Sequence, residues 1–401
     1  MLAGGSARGA YEVGVVRYVV EEVARTLGRN VPIDIISGTS AGSINACLLA
    51  AYADRPVERA GMLARQWENL VLEDVIRPAP GEIFHIATRV LGRRFRAAGG
   101  ERRGGVFDPG AIDRIVREST PFEAIDEHIR SGRLTALSIS TTHIASGRTV
   151  VFVQRQAPTV PRWGSDPTMI ARAARIRAEH AMASAAVPLL FPAIEIDGEY
   201  YCDGGLRQNV PLSPARRLGA DGLIVVNPRY IREETPSPAL AEARELEYPD
   251  PLFVFGKAMN ALLLDRIEND IRRLQKLNAV LAAGERRYGP DFGRALNEEL
   301  GRSHQSPLRP VDVVYIRASQ DIGLLASEYV RSAGFSKRVR GLVGRAVKRL
   351  GENEGEADLL SYVLFDGPFA ALLIEMGWND AKARHDELVR FFANRFESAP
   401  R

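Results

Sequence analysis

The sequence is poor in cysteine and has no long hydrophobic run. Only two of its 401 residues are cysteines, Cys47 and Cys202, and each lies within an apolar segment. We interpret both as buried small hydrophobic side chains rather than as a disulfide pair, which fits a reducing, cytoplasmic compartment. No stretch of about 18 uninterrupted apolar residues occurs, so the sequence predicts no membrane-spanning helix.

The chain also lacks an excess of charge of either sign. Its 53 lysines and arginines and its 50 aspartates and glutamates are interspersed and leave a net charge of +3. So small a net charge gives no support to a nucleic-acid partner, and none is predicted. Histidine, cysteine and acidic residues do not recur at the spacing of metal ligands, so neither a metal nor another cofactor is predicted. The oligomeric state is left open.

Hydrophobic periodicity switches between helix and strand along the chain. Residues 10–27 carry valines at spacings of three and four, which predicts an amphipathic helix. Residues 33–37 read as a short buried strand, and helical composition resumes at 43–53, an order typical of an α/β sheet with helices on its faces. Further strands are predicted at 134–141, 148–153, 194–196, 199–202, 223–226 and 311–316, and further helices at 168–186, at 252–287 and throughout the segment after 330.

We therefore expect an α/β fold with a helical carboxyl-terminal extension. Residues 1–216 form its catalytic core, 217–330 continue the α/β domain with a long helix and a further strand, and 331–401 form the extension. Met1-Leu2-Ala3 leads straight into a glycine-rich loop, where a buried strand normally precedes. The sequence does not tell whether the native protein begins before Met1.

A nucleophile motif is present at Gly38-Thr39-Ser40-Ala41-Gly42, which matches the pattern G-x-S-x-G. At such an elbow the serine occupies a sharp strand-to-helix turn, where side chains two residues to either side would collide with backbone. Glycine at 38 and 42 removes that collision. A strand pattern before the motif and a helix pattern after it favour Ser40 as a nucleophile over a plain glycine-rich turn.

A glycine-rich loop, Gly4-Gly5-Ser6-Ala7-Arg8-Gly9, precedes the first helix. Its backbone N–H groups suit either a phosphate or an oxyanion. The acidic residue of a dinucleotide site and the Lys-Ser/Thr pair of a P-loop are both missing, which disfavours a phosphate. We therefore interpret Gly4, Gly5, Ser6, Arg8 and Gly9 as an oxyanion hole. Arg8 either adds positive charge there or holds the loop by a salt bridge.

A nucleophilic serine needs a group that accepts its proton. None of the histidines lies in a glycine-flanked loop of the kind that carries the base of an α/β-hydrolase, so a histidine base has no good candidate. The six histidines are His85, His128, His143, His180, His304 and His385.

Three segments, taken in order, resemble the patatin-like phospholipases: AGGSARGAYEVGV, GTSAGSINA and ASAAVPLLFPAIEIDGEYYCDGGLRQNVPLSPA. The resemblance spans about half of the chain. It implies a three-layer α/β/α sandwich with a mostly parallel central sheet and a Ser–Asp dyad. Carried onto this sequence, it implies Ser40 as the nucleophile and Asp203 as the proton acceptor, with Asp203-Gly204-Gly205 as the third motif. Ser6 departs from the family, which frequently has glycine there.

The resemblance implies a lipid acyl hydrolase that acts on phospholipid acyl chains. The alternatives are a soluble esterase or thioesterase and a lipid-binding scaffold with a silent site. The intact Ser40, Asp203 and glycine-rich loop argue against a silent site. A carboxylate base calls for a dry cleft, whose wall residues are also candidates for ordinary core. These are Pro188, Leu189, Leu190 and Phe191.

Two basic clusters raise the question of peripheral membrane contact. Each has a plainer interpretation, as a solvated loop for the first and as a helix packed on the catalytic domain for the second. The first cluster contains Arg93, Arg94, Arg96, Arg102 and Arg103; in the second, Lys337, Arg338, Arg345, Lys348 and Arg349 flank an apolar stripe of Val339, Leu342, Val343, Ala346 and Leu350.

Overall fold

The structure is a computed structural model, which describes residues 1–77, 104–157, 168–207, 212–231, 267–302, 308–339, 341–352 and 357–398 and the isolated positions 159–160, 163, 254 and 256–257. The arginine cluster at 93–103 and most of the predicted helix before residue 267 lie outside these residues.

Helices and strands are both present as far as β8, and the described elements after β8 are all helices. The first half contains a 3₁₀ turn (Ser6–Gly9), α1 (Ala10–Tyr18), a π-helical turn (Val19–Val23), α2 (Ala24–Leu27), β1 (Ile35–Thr39), α3 (Ala41–Ala51), α4 (Glu58–Glu68), α5 (Leu72–Val75), α6 (Gly110–Ser119), α7 (Phe122–Arg130), β2 (Ala136–His143), β3 (Thr149–Arg155), β4 (Met169–Ala173), α8 (Ala178–Ser184), β5 (Ile194–Ile196) and β6 (Glu199–Asp203). The second half contains a 3₁₀ turn (Gly204–Leu206), α9 (Leu212–Arg217), β7 (Gly222–Asn227), α10 (Ile267–Tyr288), α11 (Phe292–Arg302), β8 (Asp312–Arg317), α12 (Ile322–Arg331), α13 (Ala333–Arg338), α14 (Gly341–Glu352), α15 (Ala357–Val363), α16 (Gly367–Ala383) and α17 (His385–Ser398).

The described strands form a six-stranded sheet and a two-stranded sheet. The larger sheet has the order β4-β3-β2-β6-β5, and β1 also pairs with β2. The smaller sheet is the parallel pair β7–β8. Leu2 connects the two sheets, because it bridges in parallel to Gly38 of β1 and to Val226 of β7.

Two strands share one edge of β2 and meet there end to end. β1 runs parallel to β2, and its last residue, Thr39, lies opposite Ser140. β6 runs antiparallel to β2, and its last residue, Asp203, lies opposite Thr141. The carboxyl ends of β1 and β6 therefore converge on two consecutive residues of β2. This brings the residue that follows β1 beside the last residue of β6.

The carboxyl-terminal helices pack directly on the amino-terminal helix. Where α1 crosses α16, a Cβ on Gly14 would lie 1.9 Å from Ile374 O, and a Cβ on Gly377 would lie 2.0 Å from Tyr11 O. Both distances are far inside van der Waals contact, so only glycine permits this approach of the two backbones. The crossing fixes the helical extension against the segment that follows the glycine-rich loop.

The predicted α/β fold with a central sheet and a helical carboxyl-terminal region is confirmed. The pairing of 134–141 with 148–153 is also present, as the β2–β3 ladder. Mostly parallel strands are expected from the sequence. Among the described strands, however, three ladders are parallel and three are antiparallel. Two short turns, Ser146-Gly147 and Asp197-Gly198, connect antiparallel neighbours, and both glycines have positive φ.

The predicted helix at 168–186 is wrong in its first half. Met169–Ala173 form strand β4, which pairs in parallel with β3, and only Ala178–Ser184 are helical. Alanine and arginine favour a helix in isolation, but pairing with the exposed edge of β3 outweighs that weak preference.

Gly14→Ala is expected to lower the free energy of unfolding by at least about 2 kcal/mol, because the added methyl group meets the backbone of α16. Gly301→Ala is the matched control, since nothing lies within 4 Å of the position its Cβ would take in α11. There the higher helix propensity of alanine should raise the stability by up to about 1 kcal/mol. Urea denaturation measures both effects, and equal stability of the two variants would contradict the contact.

Candidate active site

Ser40 stands alone between the last residue of β1 and the first residue of α3. Its backbone has φ 53° and ψ −128°, a region that side chains rarely adopt. A Cβ on Gly38 would lie 2.3 Å from Gly42 O, and a Cβ on Gly42 would lie 2.5 Å from Leu2 O. The glycines of the G-x-S-x-G motif are thus required by close backbone contacts. The turn holds Ser40 in a strained, buried position.

Two other serines fix the backbone of Ser40. The Ser184 hydroxyl accepts a hydrogen bond from Ser40 N at 2.9 Å and donates one to Ser140 O at 2.6 Å. The Ser43 hydroxyl donates to Ser40 O at 2.6 Å. Ser184 comes from α8, which follows β4, so the elbow is tied to a distant part of the chain. These contacts offset the strain of the elbow.

Asp203 is fully buried beside Ser40. Its Oδ1 accepts a hydrogen bond from Gly205 N at 2.6 Å. Asp203 Oδ2 has no hydrogen-bond partner within the described chain, and the Ser40 hydroxyl is close enough to lower the pKa of the carboxyl. A Cβ on Gly204 would lie 2.2 Å from Ser140 O, so the Asp-Gly-Gly turn packs tightly on β2. The structure therefore brings Ser40, Asp203 and the third motif together.

Burial governs the acidity of Asp203. Desolvation raises the pKa of this carboxyl from 3.8 to about 7, and the nearby Ser40 hydroxyl and the hydrogen bond from Gly205 act in the opposite direction. A carboxylate with a pKa near neutrality is a far better proton acceptor than an exposed aspartate. The Asp203 carboxyl is therefore ionised, and able to accept a proton, mainly at and above neutral pH.

The glycine-rich loop packs on the elbow. Gly4 and Gly5 are buried, and Ser6 has φ 52°, in the left-handed region that glycine adopts more readily. A Cβ on Gly9 would lie 2.7 Å from the Cβ of Ala41, the residue after Ser40. Ser6 and Ser40 line the same pocket. The loop and the serine are therefore neighbours in the fold.

Arg8 holds the loop and does not extend into the pocket that Ser6 and Ser40 line. Its Nε donates to Ser361 Oγ at 2.8 Å, and its Nη2 lies 3.6 Å from the Asp358 carboxylate. The guanidinium also stacks 4.1 Å above the ring of Tyr362. All three partners belong to α15. Of the two roles considered for Arg8, the structure shows the salt bridge.

A buried polar network supports the loop from below. Asn45 Nδ2 donates to Gly9 O at 3.1 Å and to Glu12 Oε2 at 3.0 Å. Trp67 Nε1 donates to Asn45 Oδ1 at 2.9 Å. Desolvation raises the pKa of the fully buried Glu12 carboxyl well above its usual value and so favours its neutral form. A neutral acid here spares the loop a competing negative charge.

An apolar pocket opens beside Ser40. Its volume is about 60 Å³, and Ser6 and Ser40 supply its hydroxyl groups. Phe365, from the segment between α15 and α16, lines the pocket and stacks on Trp67 with ring centroids 6.4 Å apart. The remaining wall is mainly aliphatic and includes Ile44, Leu70, Val75, Ile112, Ile115 and Val116.

The candidate wall residues divide between pocket, core and surface. Phe191 lines the pocket, Leu190 is buried in the main core, and Leu189 is 53% exposed. Sequence reasoning missed Ser184, Asn45, Trp67 and Phe365, as well as the partners of Arg8. Asn45 and Ser184 lie within the segments that carry the family resemblance but were assigned no role there, whereas Trp67 and Phe365 lie outside those segments and reach the site only through tertiary packing.

The second basic cluster is divided between α13 and α14, so the single helix expected for it is wrong. Val339 and Val347 belong to the core, and Val343 and Leu350 pack against it, whereas Ala346 is exposed. The stripe therefore faces the protein along most of its described length. Among the described helices, none is both long enough and apolar enough to cross a membrane. Cys47 and Cys202 are buried and unpaired, as predicted.

The elbow at Ser40, the Asp-Gly-Gly turn at Asp203 and the glycine-rich loop lie together in this α/β fold. The family model for patatin-like phospholipase matches residues 1–216. The chain belongs to the patatin-like phospholipase family.

Similar proteins include patatin-like phospholipase domain-containing protein 6 from Mus musculus and Homo sapiens. Each is 24% identical over 227 residues, which are 57% of this chain and 13% of the relative. The chain thus spans a small part of the length of these relatives. VipD from Legionella pneumophila aligns with 93% of this chain and 66% of its own at 14% identity, with a TM-score of 0.28, too low to support a structural argument.

Asp203→Asn is expected to stabilise the fold at pH 8 by up to about 4 kcal/mol, because it removes a buried charge and leaves an acceptor for Gly205 N. A carboxyl whose pKa rises from 3.8 to about 7 on folding contributes stability below pH 4 that is lost as the pH rises through 7. The advantage of the variant should therefore shrink towards pH 4.

Denaturation midpoints at pH 4, 6 and 8 measure this difference. Asp291→Asn, at a position whose side chain is 79% exposed, is the control and should change stability little at any pH. A difference between wild type and Asp203→Asn that does not vary with pH would show that the pKa of Asp203 is not raised.

Proposed function

We propose that the protein is a serine-dependent lipid acyl hydrolase that uses Ser40 and Asp203 as a catalytic dyad. One observation carries the proposal: a strained, buried serine lies beside a fully buried carboxyl whose pKa is raised to about 7. Membership of the family supports ester hydrolysis on lipids as the general reaction.

The mechanism follows from the positions of these groups. Ser40 Oγ attacks the acyl carbonyl carbon while Asp203 accepts the hydroxyl proton. The negative charge on the former carbonyl oxygen is stabilised by amides of the loop at Gly4, Gly5, Ser6, Arg8 and Gly9 and by the amino-terminal end of α3. The leaving alcohol takes the proton back from Asp203. Water, deprotonated by Asp203, then attacks the acyl-serine ester, and Asp203 returns the proton to Ser40 Oγ as that bond breaks and the free acid leaves.

The pocket accommodates the apolar end of the substrate. Ile44, Ile112 and Phe365 surround the space next to Ser40, which suits an acyl chain. The substrate is therefore an acyl ester of a lipid, and a membrane surface is the source of phospholipid. A cytoplasmic location fits the two buried, unpaired thiols.

A short-chain esterase is the second candidate, and the small pocket favours it. A volume of about 60 Å³ is far below the roughly 300–1,000 Å³ of a usual ligand pocket. A long chain enters only if the walls move. Rates on nitrophenyl esters of increasing chain length, compared with release of fatty acid from phospholipid vesicles, separate the two functions.

Ser40→Ala should abolish covalent labelling by a fluorophosphonate probe and lower fatty-acid release from a membrane lipid extract by at least about 10³-fold, because the attacking oxygen is gone. Ser131→Ala, in the exposed turn before β2, is the control and should label like the wild type. Mass spectrometry of the released acids provides the measurement. Undiminished release by Ser40→Ala would refute Ser40 as the nucleophile.

The rate constant kcat/KM should increase about tenfold per pH unit below pH 7 and level off above it, because only the ionised Asp203 accepts a proton. The raised pKa of about 7 sets the position of this bend. Asp203→Asn should lose turnover at every pH while it remains folded. A rate that is constant from pH 5 to 8 would mean that another group is the base.

A further inference from the structure

Asn45 connects the glycine-rich loop to the helix that follows the nucleophile. It lies on α3, and its side chain is completely buried. Its Nδ2 donates to Gly9 O at 3.1 Å and to Glu12 Oε2 at 3.0 Å, and its Oδ1 accepts from Trp67 Nε1 at 2.9 Å. Both donors and the acceptor of this buried amide are therefore used, and one of the donors holds the loop.

The indole of Trp67 determines which way this amide points. An indole N–H can only donate, so it requires the amide oxygen of Asn45 opposite it. If the amide were rotated by half a turn, its NH₂ group would face the indole donor and its oxygen would face the carbonyl of Gly9. Buried groups on both sides would then lose their partners. Trp67 thus fixes the one orientation in which Asn45 donates to the loop.

Gly9 is the point at which the loop is held. It is the last residue of the 3₁₀ turn that precedes α1, and Asn45 binds its carbonyl oxygen. A Cβ on Gly9 would lie 2.7 Å from the Cβ of Ala41 and 3.1 Å from Cζ2 of Trp67, so the backbone packs against both side chains. The hydrogen bond and this close packing fix the end of the turn relative to α3.

The anchor on α3 differs from the anchor that Arg8 provides. Arg8 ties the loop to α15, whereas Asn45 ties it to the helix that begins directly after Ser40. Only the second anchor sets the distance between the loop amides and a carbonyl group bonded to the serine. Donors of an oxyanion hole are effective when they are held within about 0.5 Å of the productive position. A loop that slides along α3 therefore loses its effect on the transition state.

We propose that Asn45 is a positioning residue for the oxyanion loop and that Trp67 acts on the loop through Asn45. The inference rests on the hydrolase function proposed above, which assigns the loop amides to the oxyanion. Asn45 acts through the carbonyl of Gly9 and needs no contact with the substrate. Trp67 also lines the pocket, so it has a second role in binding the acyl group. Because the oxyanion carries its charge in the transition state, loss of Asn45 should lower kcat and leave KM nearly unchanged.

Asn45→Ala should lower kcat on nitrophenyl butyrate by at least about tenfold, since removal of one complete oxyanion donor costs about 10²–10³ in kcat. KM should change by less than about threefold. Asn278→Ala is the matched control. Asn278 also binds backbone through both ends of its amide, at Val311 O and Val311 N, and it does not line the pocket. An unchanged kcat in Asn45→Ala overturns the proposal.

Trp67→Phe keeps an aromatic wall and removes the N–H that orients Asn45, so it tests the anchor even if Asn45→Ala unfolds. It should lower kcat by roughly threefold or more. The double variant Trp67→Phe/Asn45→Ala should have the kcat of Asn45→Ala alone, because no amide is left for Trp67 to orient. Losses that multiply in the double variant would show that Trp67 acts only as a wall of the pocket.

Amide hydrogen exchange in the absence of substrate separates this inference from the proposed function. Exchange at residues 5–9 should be at least about tenfold faster in Asn45→Ala than in the wild type, whereas residues 35–39 of β1 should be unaffected. A loosened loop together with a wild type that hydrolyses no ester supports the anchor and refutes the hydrolase function. Unchanged exchange at residues 5–9 overturns the inference, whatever the activity of the wild type.

Discussion

The backbone carbonyl of Ser140 is the point on which the site depends. It lies where β1 and β6 converge on β2. It accepts a hydrogen bond from the Ser184 hydroxyl, and that hydroxyl in turn accepts one from the Ser40 amide. Gly204 packs against the same carbonyl too closely for any side chain. A one-residue slip of either β1 or β6 along β2 would therefore move the serine away from the aspartate and remove the support from that carbonyl.

The site is held at a cost in stability. The backbone of Ser40 lies in a region that costs about 1–3 kcal/mol, and desolvation of Asp203 opposes its charged form. Neither group helps the fold, since a glycine-compatible turn and an uncharged side chain would serve it better. The surrounding serines and glycines compensate for the strain by contacts that leave the turn no alternative. This pattern of locally unfavourable, externally supported groups is typical of functional sites.

The sequence was most informative where the determinants are consecutive. Five adjacent residues specify the elbow, and the dipeptide Asp197-Gly198 specifies the β5–β6 hairpin, so both could be predicted without a structure. The contributions of Ser184 and Phe365 could not, because each acts through a partner far away along the chain. Strand β4 was missed for the same reason, since only the edge of β3 makes those residues extended. The two roles open to Arg8 could be separated only by its contacts with α15.

The helical extension is part of the site, although the family match ends at residue 216. Asp358 and Ser361 anchor the loop through Arg8, and Phe365 closes the pocket against Trp67. The next helix, α16, lies in backbone contact with α1 at Gly377. A relative that resembles this chain only over the matched region does not thereby share the anchor of the loop or the end wall of the pocket. If the proposed hydrolase function holds, its preference for acyl-chain length depends on these carboxyl-terminal residues and does not transfer with the motifs.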